Sequence, residues 1–103
     1  MKLGLAQINT TTDVAGNLEK VRDYTGRAAA AGAEVVIFPE ATMSAFGSGL
    51  REIAERESAG WREALTLLAA DTDTAIVVGE FAVSAGKVVN LLAVYAPDGT
   101  RTE

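Results

Sequence analysis

The sequence holds no cysteine and no histidine. Within these residues that excludes a disulfide, a Ser-His-Asp triad, a histidine-bearing zinc site, a CxxC pair and a cysteine nucleophile. Any chemistry the chain carries falls to carboxylates, Lys, Arg, Ser, Thr or Tyr. Basic residues are few, nine against fourteen acidic ones, and they are interspersed rather than blocked. The net charge of −5 argues against nucleic acid and against an anionic membrane as partners. No apolar run approaches the roughly 20 residues of a membrane span, and the N-terminus lacks a charged-then-apolar leader pattern. With cysteine missing as well, a cytoplasmic protein is the expectation. Glycine is absent where a dinucleotide needs it, in the connection Asn9–Asp13 after the first strand, and GxxxxGK[ST] occurs nowhere. Dinucleotide and phosphate-loop readings therefore fail.

What is present suits a core. The chain is 49% hydrophobic over 103 residues, enough for one small domain, and it shows no repeat, linker or internal boundary. Its organising stretch is Gly32-Ala33-Glu34-Val35-Val36-Ile37-Phe38-Pro39-Glu40. Val35 to Phe38 include no polar residue, so the pattern predicts a strand buried on both faces, as in the middle of a parallel sheet. Pro39 has no N–H with which to continue the ladder and ends the strand. Glu40 is thereby delivered at the strand's carboxyl end, where open α/β sheets bind ligands.

Around this stretch the periodicities alternate. Met1–Asn9 reads as a strand apolar on both sides, and Asp13 as an N-cap. Val14, Leu18, Val21, Thr25, Ala28 and Ala29 recur at helical spacing, and Gly32 falls where a left-handed C′ residue is needed. Strand, helix, strand makes a right-handed βαβ unit. Ala41–Gly49 reads as an irregular, mobile loop. Leu50–Glu57 predicts a short helix, Ser58-Ala59-Gly60 a break, and Trp61–Ala70 a second helix. Ala75–Gly79 is a further apolar strand. A hairpin follows, turning at Ser84-Ala85-Gly86-Lys87 and returning as Val88–Tyr95. Pro97-Asp98-Gly99-Thr100 is another turn, and Arg101 to Glu103 read as the start of a strand. Two crossovers travelling the same way set both helices on one face of the sheet, leaving an apolar opposite face in need of a second layer. A reversed strand order would instead cover both faces.

Several residues are candidates for function. Glu40 has two readings: a strand-end carboxylate capping a nearby N–H, or a general base in a partly desolvated cleft. Glu80, after Gly79, either shares that rim as an acid/base partner or is a solvated residue in a strand break. Asp71-Thr72-Asp73 resembles a hard-metal pair but sits where plain loop chemistry is common. Asn90, amid Val88, Val89, Leu91 and Leu92, reads as a buried amide satisfying backbone. None of Lys2, Lys20 and Lys87 is placed as a catalytic ammonium.

Taken in order, Ala6-Gln7-Ile8-Asn9, Asn17-Leu18, Ala31 through Glu40, Val77-Val78-Gly79, Asn90 and Ala96-Pro97-Asp98-Gly99 resemble the nitrilase-like carbon–nitrogen hydrolases along the whole chain. The resemblance implies an α/β fold, the N-terminal part of an αββα sandwich: a βαβ unit, a second helix, then antiparallel strands. It implies hydrolysis of a small amide or nitrile by a Glu–Lys–Cys site, without metal or organic cofactor, in a protein that forms homo-oligomers at full length. Of that site only the glutamate is carried over, onto Glu40. The pocket aromatic six residues later corresponds to Phe46. The Lys and Cys of the family's pattern fall beyond Glu103, so residues 1–103 read as a single partial domain, inactive alone. The competing expectation is a non-catalytic α/β module that binds a small ligand or a partner through its uncovered sheet face.

Overall fold

A computed structural model describes all residues from Met1 to Glu103. Five strands form one mixed sheet in sequential order: β1 (Leu3–Leu5), β2 (Val35–Ile37), β3 (Ala75–Ser84), β4 (Lys87–Tyr95) and β5 (Arg101–Thr102). The first three strands are parallel and the last two pair antiparallel. Helices α1 (Val14–Ala30) and α2 (Leu50–Thr72) connect the parallel strands. They lie against each other on one side of the sheet, as two crossovers of the same hand require.

Strand register sorts the side chains. Gly4, Val36 and Ile76 align across β1–β3, and Ile76, Val78 and Glu80 align with Tyr95, Ala93 and Leu91 of β4. This row meets the helices: Val36, Ile76, Val78, Ala93 and Tyr95 join Val21, Ala54, Trp61, Leu65 and Ala69 in one buried cluster. Each Val, Ile or Leu fully buried there contributes ~1.5–3 kcal/mol. The alternate row is Leu3, Leu5, Val35, Ile37, Val77, Leu92 and Val94, and no element of the chain covers it. Leu3, Leu5, Leu92 and Val94 are exposed, and Val35 and Ile37 only half-buried. The expectation that β2 is buried on both faces therefore holds on one face only. The first strand is shorter than Met1–Asn9, although the Glu34 N–H donates to Lys2 O and the Ala6 N–H to Ile37 O, one residue beyond each end.

Two further expectations change. The break at Ser58-Ala59-Gly60 does not occur, because α2 runs unbroken for 23 residues. Its buried positions Ile53, Ala54, Trp61, Leu65 and Ala69 hold one stripe through the Gly60 turn, and that burial outweighs the ~1 kcal/mol a helical glycine costs. Nor is there a break at Glu80, which lies inside the ten-residue β3. Gly32 does take the left-handed conformation, with φ +86°, and the Ala33 N–H donates to Ala28 O to close α1. Asp13 occupies the N-cap of α1 but makes no side-chain capping bond. No helix is long and apolar enough to cross a membrane.

Candidate functional site

After Ile37 the chain makes one more sheet bond, from the Phe38 N–H to Val77 O, and then crosses over β3. That crossing is possible because residue 79 is glycine. A Cβ there would lie 2.6 Å from Ala41 N, 2.8 Å from Glu40 Cα and 2.9 Å from Pro39 O. The contact is two-sided: the Gly79 N–H donates to Pro39 O, and the Met43 N–H donates to Gly79 O at 3.1 Å. Ala41 turns with φ +57°, a left-handed conformation that costs an alanine ~1–2 kcal/mol. The bonds on either side offset that cost.

The segment that follows is irregular, as its small residues and glycines suggest, but its first half is packed. Ala41, Thr42, Met43 and Ser44 are all buried. Thr42 Oγ1 donates to Pro39 O at 2.6 Å, Thr10 Oγ1 to Ala41 O, and the Ala45 N–H to Thr11 O. Asn17, fully buried on α1, donates through Nδ2 to both Thr11 O and Met43 O while Oδ1 accepts from the Thr11 N–H. One amide thus ties the loop after β1 to the loop after β2. Small side chains let that loop pack, and polar ones give its backbone partners.

The Glu40 carboxylate emerges on the open face of the sheet. It lines a cleft of about 280 Å³ with Gly79, Asn90, Leu91 and Leu92. Asn90 Nδ2 donates to Glu40 Oε2 at 3.2 Å. Glu40 forms no salt bridge. It is exposed, as is Asn90, because the face carrying both has no second layer. Partial desolvation, expected of a base cleft, is not supplied by these residues. The reading of Asn90 as a buried amide serving backbone is also overturned. Paired with Phe81, it belongs to the open row, where its partner is a carboxylate. Phe46 is 60% exposed and meets the buried Phe81 ring edge-on, with centroids 5.4 Å apart. It lies outside the cleft lining.

Glu80 is neither solvated nor at the Glu40 rim. One residue beyond Gly79, it points to the helix side and is 1% exposed. Its Oε1 accepts from Trp61 Nε1 and Tyr95 OH, and its Oε2 from an Arg101 guanidinium N–H at 2.6 Å. Arg62 Nε lies 3.5 Å away. Burial first, and then the hydrogen bond and charge of Glu80, push the Tyr95 hydroxyl well above the ordinary tyrosine range, against an opposing pull from Arg101. Burial disfavours the Arg101 charge, but its bonds to Glu80, Tyr95 and Glu103 outweigh that and hold it protonated. Two carboxylates on opposite faces do not form an acid/base pair. The alternating polarity of a strand read as apolar on both sides gave no warning of this cluster. The Asp71-Thr72-Asp73 run ends α2: Thr72 Oγ1 donates to Leu68 O and Asp73 turns left-handed. No group of three or more acidic side chains is placed to hold a metal ion.

A mixed sheet with two helices on one face, and a Pro-Glu step delivered at the end of its second parallel strand, define an α/β layer with one open face. Residues 2–102 match the carbon–nitrogen hydrolase family, and the chain belongs to it. A hydrolase of Mycobacterium tuberculosis is 40% identical over 98 residues, covering 94% of this chain and 35% of the relative. An omega-amidase of Danio rerio is 31% identical over 101 residues, covering 96% and 36%. The chain thus spans about a third of the length of the curated relatives it matches. Among solved structures, an amidase from Nesterenkonia superposes with TM-score 0.86 at 18% identity, over 100% of this chain and 41% of that one. A glutamine-dependent NAD(+) synthetase from Cytophaga hutchinsonii superposes with TM-score 0.77 at 22% identity, over 96% and 17%. At these identities the structural likeness establishes the fold, which is that of the N-terminal portion of the nitrilase sandwich.

Proposed function

We propose that these residues are the N-terminal portion of a hydrolase that cleaves the carbon–nitrogen bond of a small amide or nitrile, with Glu40 as its general base. The observation that carries the reading is the Gly79 crossing, which holds Glu40 over the open face beside a cleft. The chain has no cysteine, and none of Lys2, Lys20 and Lys87 lines the Glu40 cleft, so the nucleophile and the Lys are assigned to polypeptide outside residues 1–103, and these residues alone turn nothing over. For an amide, Glu40 takes the thiol proton as sulfur attacks the carbonyl carbon, and Lys stabilises the tetrahedral oxyanion. The C–N bond then breaks, ammonia leaves with the proton that Glu40 returns, and an acyl-thioester remains. Glu40 next takes a proton from water, the hydroxide displaces sulfur, and acid is released with the thiol restored. Phe46 supplies an apolar wall to the substrate pocket. The bare sheet face takes the second sandwich layer, and the whole protein is a cytoplasmic homo-oligomer.

Support comes from the family match and from neighbours: a Nesterenkonia amidase variant holds butyramide, and another carries a covalent acetamide adduct on its active-site cysteine. The competing reading, a non-catalytic module, draws on the exposed Leu3, Leu5, Leu92 and Val94 as a partner surface. The two separate when residues 1–103 replace the matching segment of the Mycobacterium tuberculosis hydrolase. The enzymatic reading expects ammonia release from acetamide, butyramide or the corresponding nitriles. A folded chimera that hydrolyses none of them, beside an active parent, overturns it.

A further inference from the structure

Glu40 is long, flexible and exposed, and a side chain of that kind ordinarily samples several rotamers. Its backbone is fixed by the Gly79 crossing, but nothing in that crossing fixes the carboxylate. The one protein group that reaches it is the Asn90 amide, which donates to Oε2. A carboxylate without its proton only accepts, so the amide must present its NH₂ and not its oxygen. Asn90 is also the polar exception in a strand segment of otherwise apolar residues, Val88, Val89, Leu91 and Leu92. An asparagine is a poor strand former, and its register opposite Phe81 sets it on the open face beside Gly79 and Leu92, which line the same cleft.

We infer that Asn90 is a positioning residue for Glu40: its amide holds Oε2 and leaves Oε1 as the oxygen that exchanges the proton. The inference rests on the reading of Glu40 as general base for the value of that orientation, but the orientation itself is tested without any turnover. The β3–β4 hairpin then contributes twice to one carboxylate, through the missing Cβ of Gly79 at the backbone and through Asn90 at the head group. A base used twice in a cycle, first toward sulfur and then toward water, gains from being held in one orientation. Once a second layer excludes water from the cleft, the same hydrogen bond strengthens.

The test is NMR on the 103-residue chain. In the native protein, three-bond couplings should report a single χ1 and χ2 rotamer for Glu40, and the Asn90 Nδ2 proton shifts should follow ionisation of the Glu40 carboxyl. Asn90→Leu, matching its apolar neighbours and lacking the donor, should keep the backbone amide spectrum and collapse the Glu40 couplings to rotamer-averaged values. Asn90→Gln should restore part of the single-rotamer signature, and Glu40→Gln should abolish the pH response of the Asn90 amide. Couplings already averaged in the native chain, or unchanged in Asn90→Leu, overturn the inference. So does an Asn90 amide whose pH response survives Glu40→Gln. Failure of the general-base reading would show separately, as turnover that survives Glu40→Gln in the catalytically complete chimera.

Discussion

At the scale of single residues, the glycine at position 79 decides where the candidate base goes. Gly79→Ala sets a methyl group against three backbone atoms, none of which belongs to a flexible side chain. Overpacking of this kind costs ~1–3 kcal/mol, and the Glu40 turn is the part able to move. Denaturant titration should give that loss, with amide shift changes concentrated at residues 39–43; a loss without changes there would mean the crossing tolerates a side chain. Glu80 is a second decisive residue, buried with three hydrogen-bond donors and a second arginine around one carboxylate. Glu80→Ala takes the acceptor from Trp61 and Tyr95 and leaves Arg101 with Glu103 as its one carboxylate partner, and should cost ~3–5 kcal/mol in denaturant titration, the range for breaking a buried pair. Tyr95 adds a pH dependence. Its folded-state pKa lies above its unfolded value, so above about pH 10 the unfolded chain loses a proton that the folded chain keeps. Stability is therefore complete below that pH and falls as pH rises through and beyond it. Chemical denaturation between pH 8 and 11 checks the slope, and Tyr95→Phe should flatten it. The placement of Glu40 just past a strand end was legible in the sequence because Pro39 cannot continue the ladder. Glu80 was not: a single carboxylate in a strand looks solvated until its partners, 15 to 21 residues away, are brought to it.

At the scale of elements, α2 shows what local signals miss. Ser58-Ala59-Gly60 looks like punctuation, yet none of these residues forbids a helix, and Trp61 and Ile53 sit on the same buried stripe. Gly60 is exposed and helical, and a Cβ added there meets nothing within 4 Å. Gly60→Ala should therefore stabilise the chain by ~0.5–1 kcal/mol through helix propensity and reduced freedom of the unfolded state. A decrease in stability would argue for a real break. The βαβ unit, the left-handed Gly32 and the Ala85-Gly86 hairpin turn were readable, because each is set by a local rule of period or φ. The loop at residues 41–44 was not. Its order comes from Asn17, Thr10 and Thr11, which belong to another part of the chain.

At the scale of the whole molecule, the sheet is a finished layer on one side and an unfinished one on the other. The same face bears the apolar row and the Glu40 cleft. Left bare, Leu5 and Leu92, 79% and 60% exposed, favour self-association of these residues. Leu5→Lys with Leu92→Lys should reduce association in sedimentation while leaving the thermal unfolding midpoint within a few degrees; an unchanged sedimentation profile would place the contact elsewhere. The role proposed for Glu40 is that of a base held at the open face of the sheet. Its most direct measurement is the rate of ammonia release from a small amide by the chimera carrying residues 1–103, with and without Glu40→Gln. The account predicts a folded variant whose rate is lower by several orders of magnitude, about 10³-fold or more for loss of a base used in both half-reactions. A variant that releases ammonia at the parent rate contradicts it.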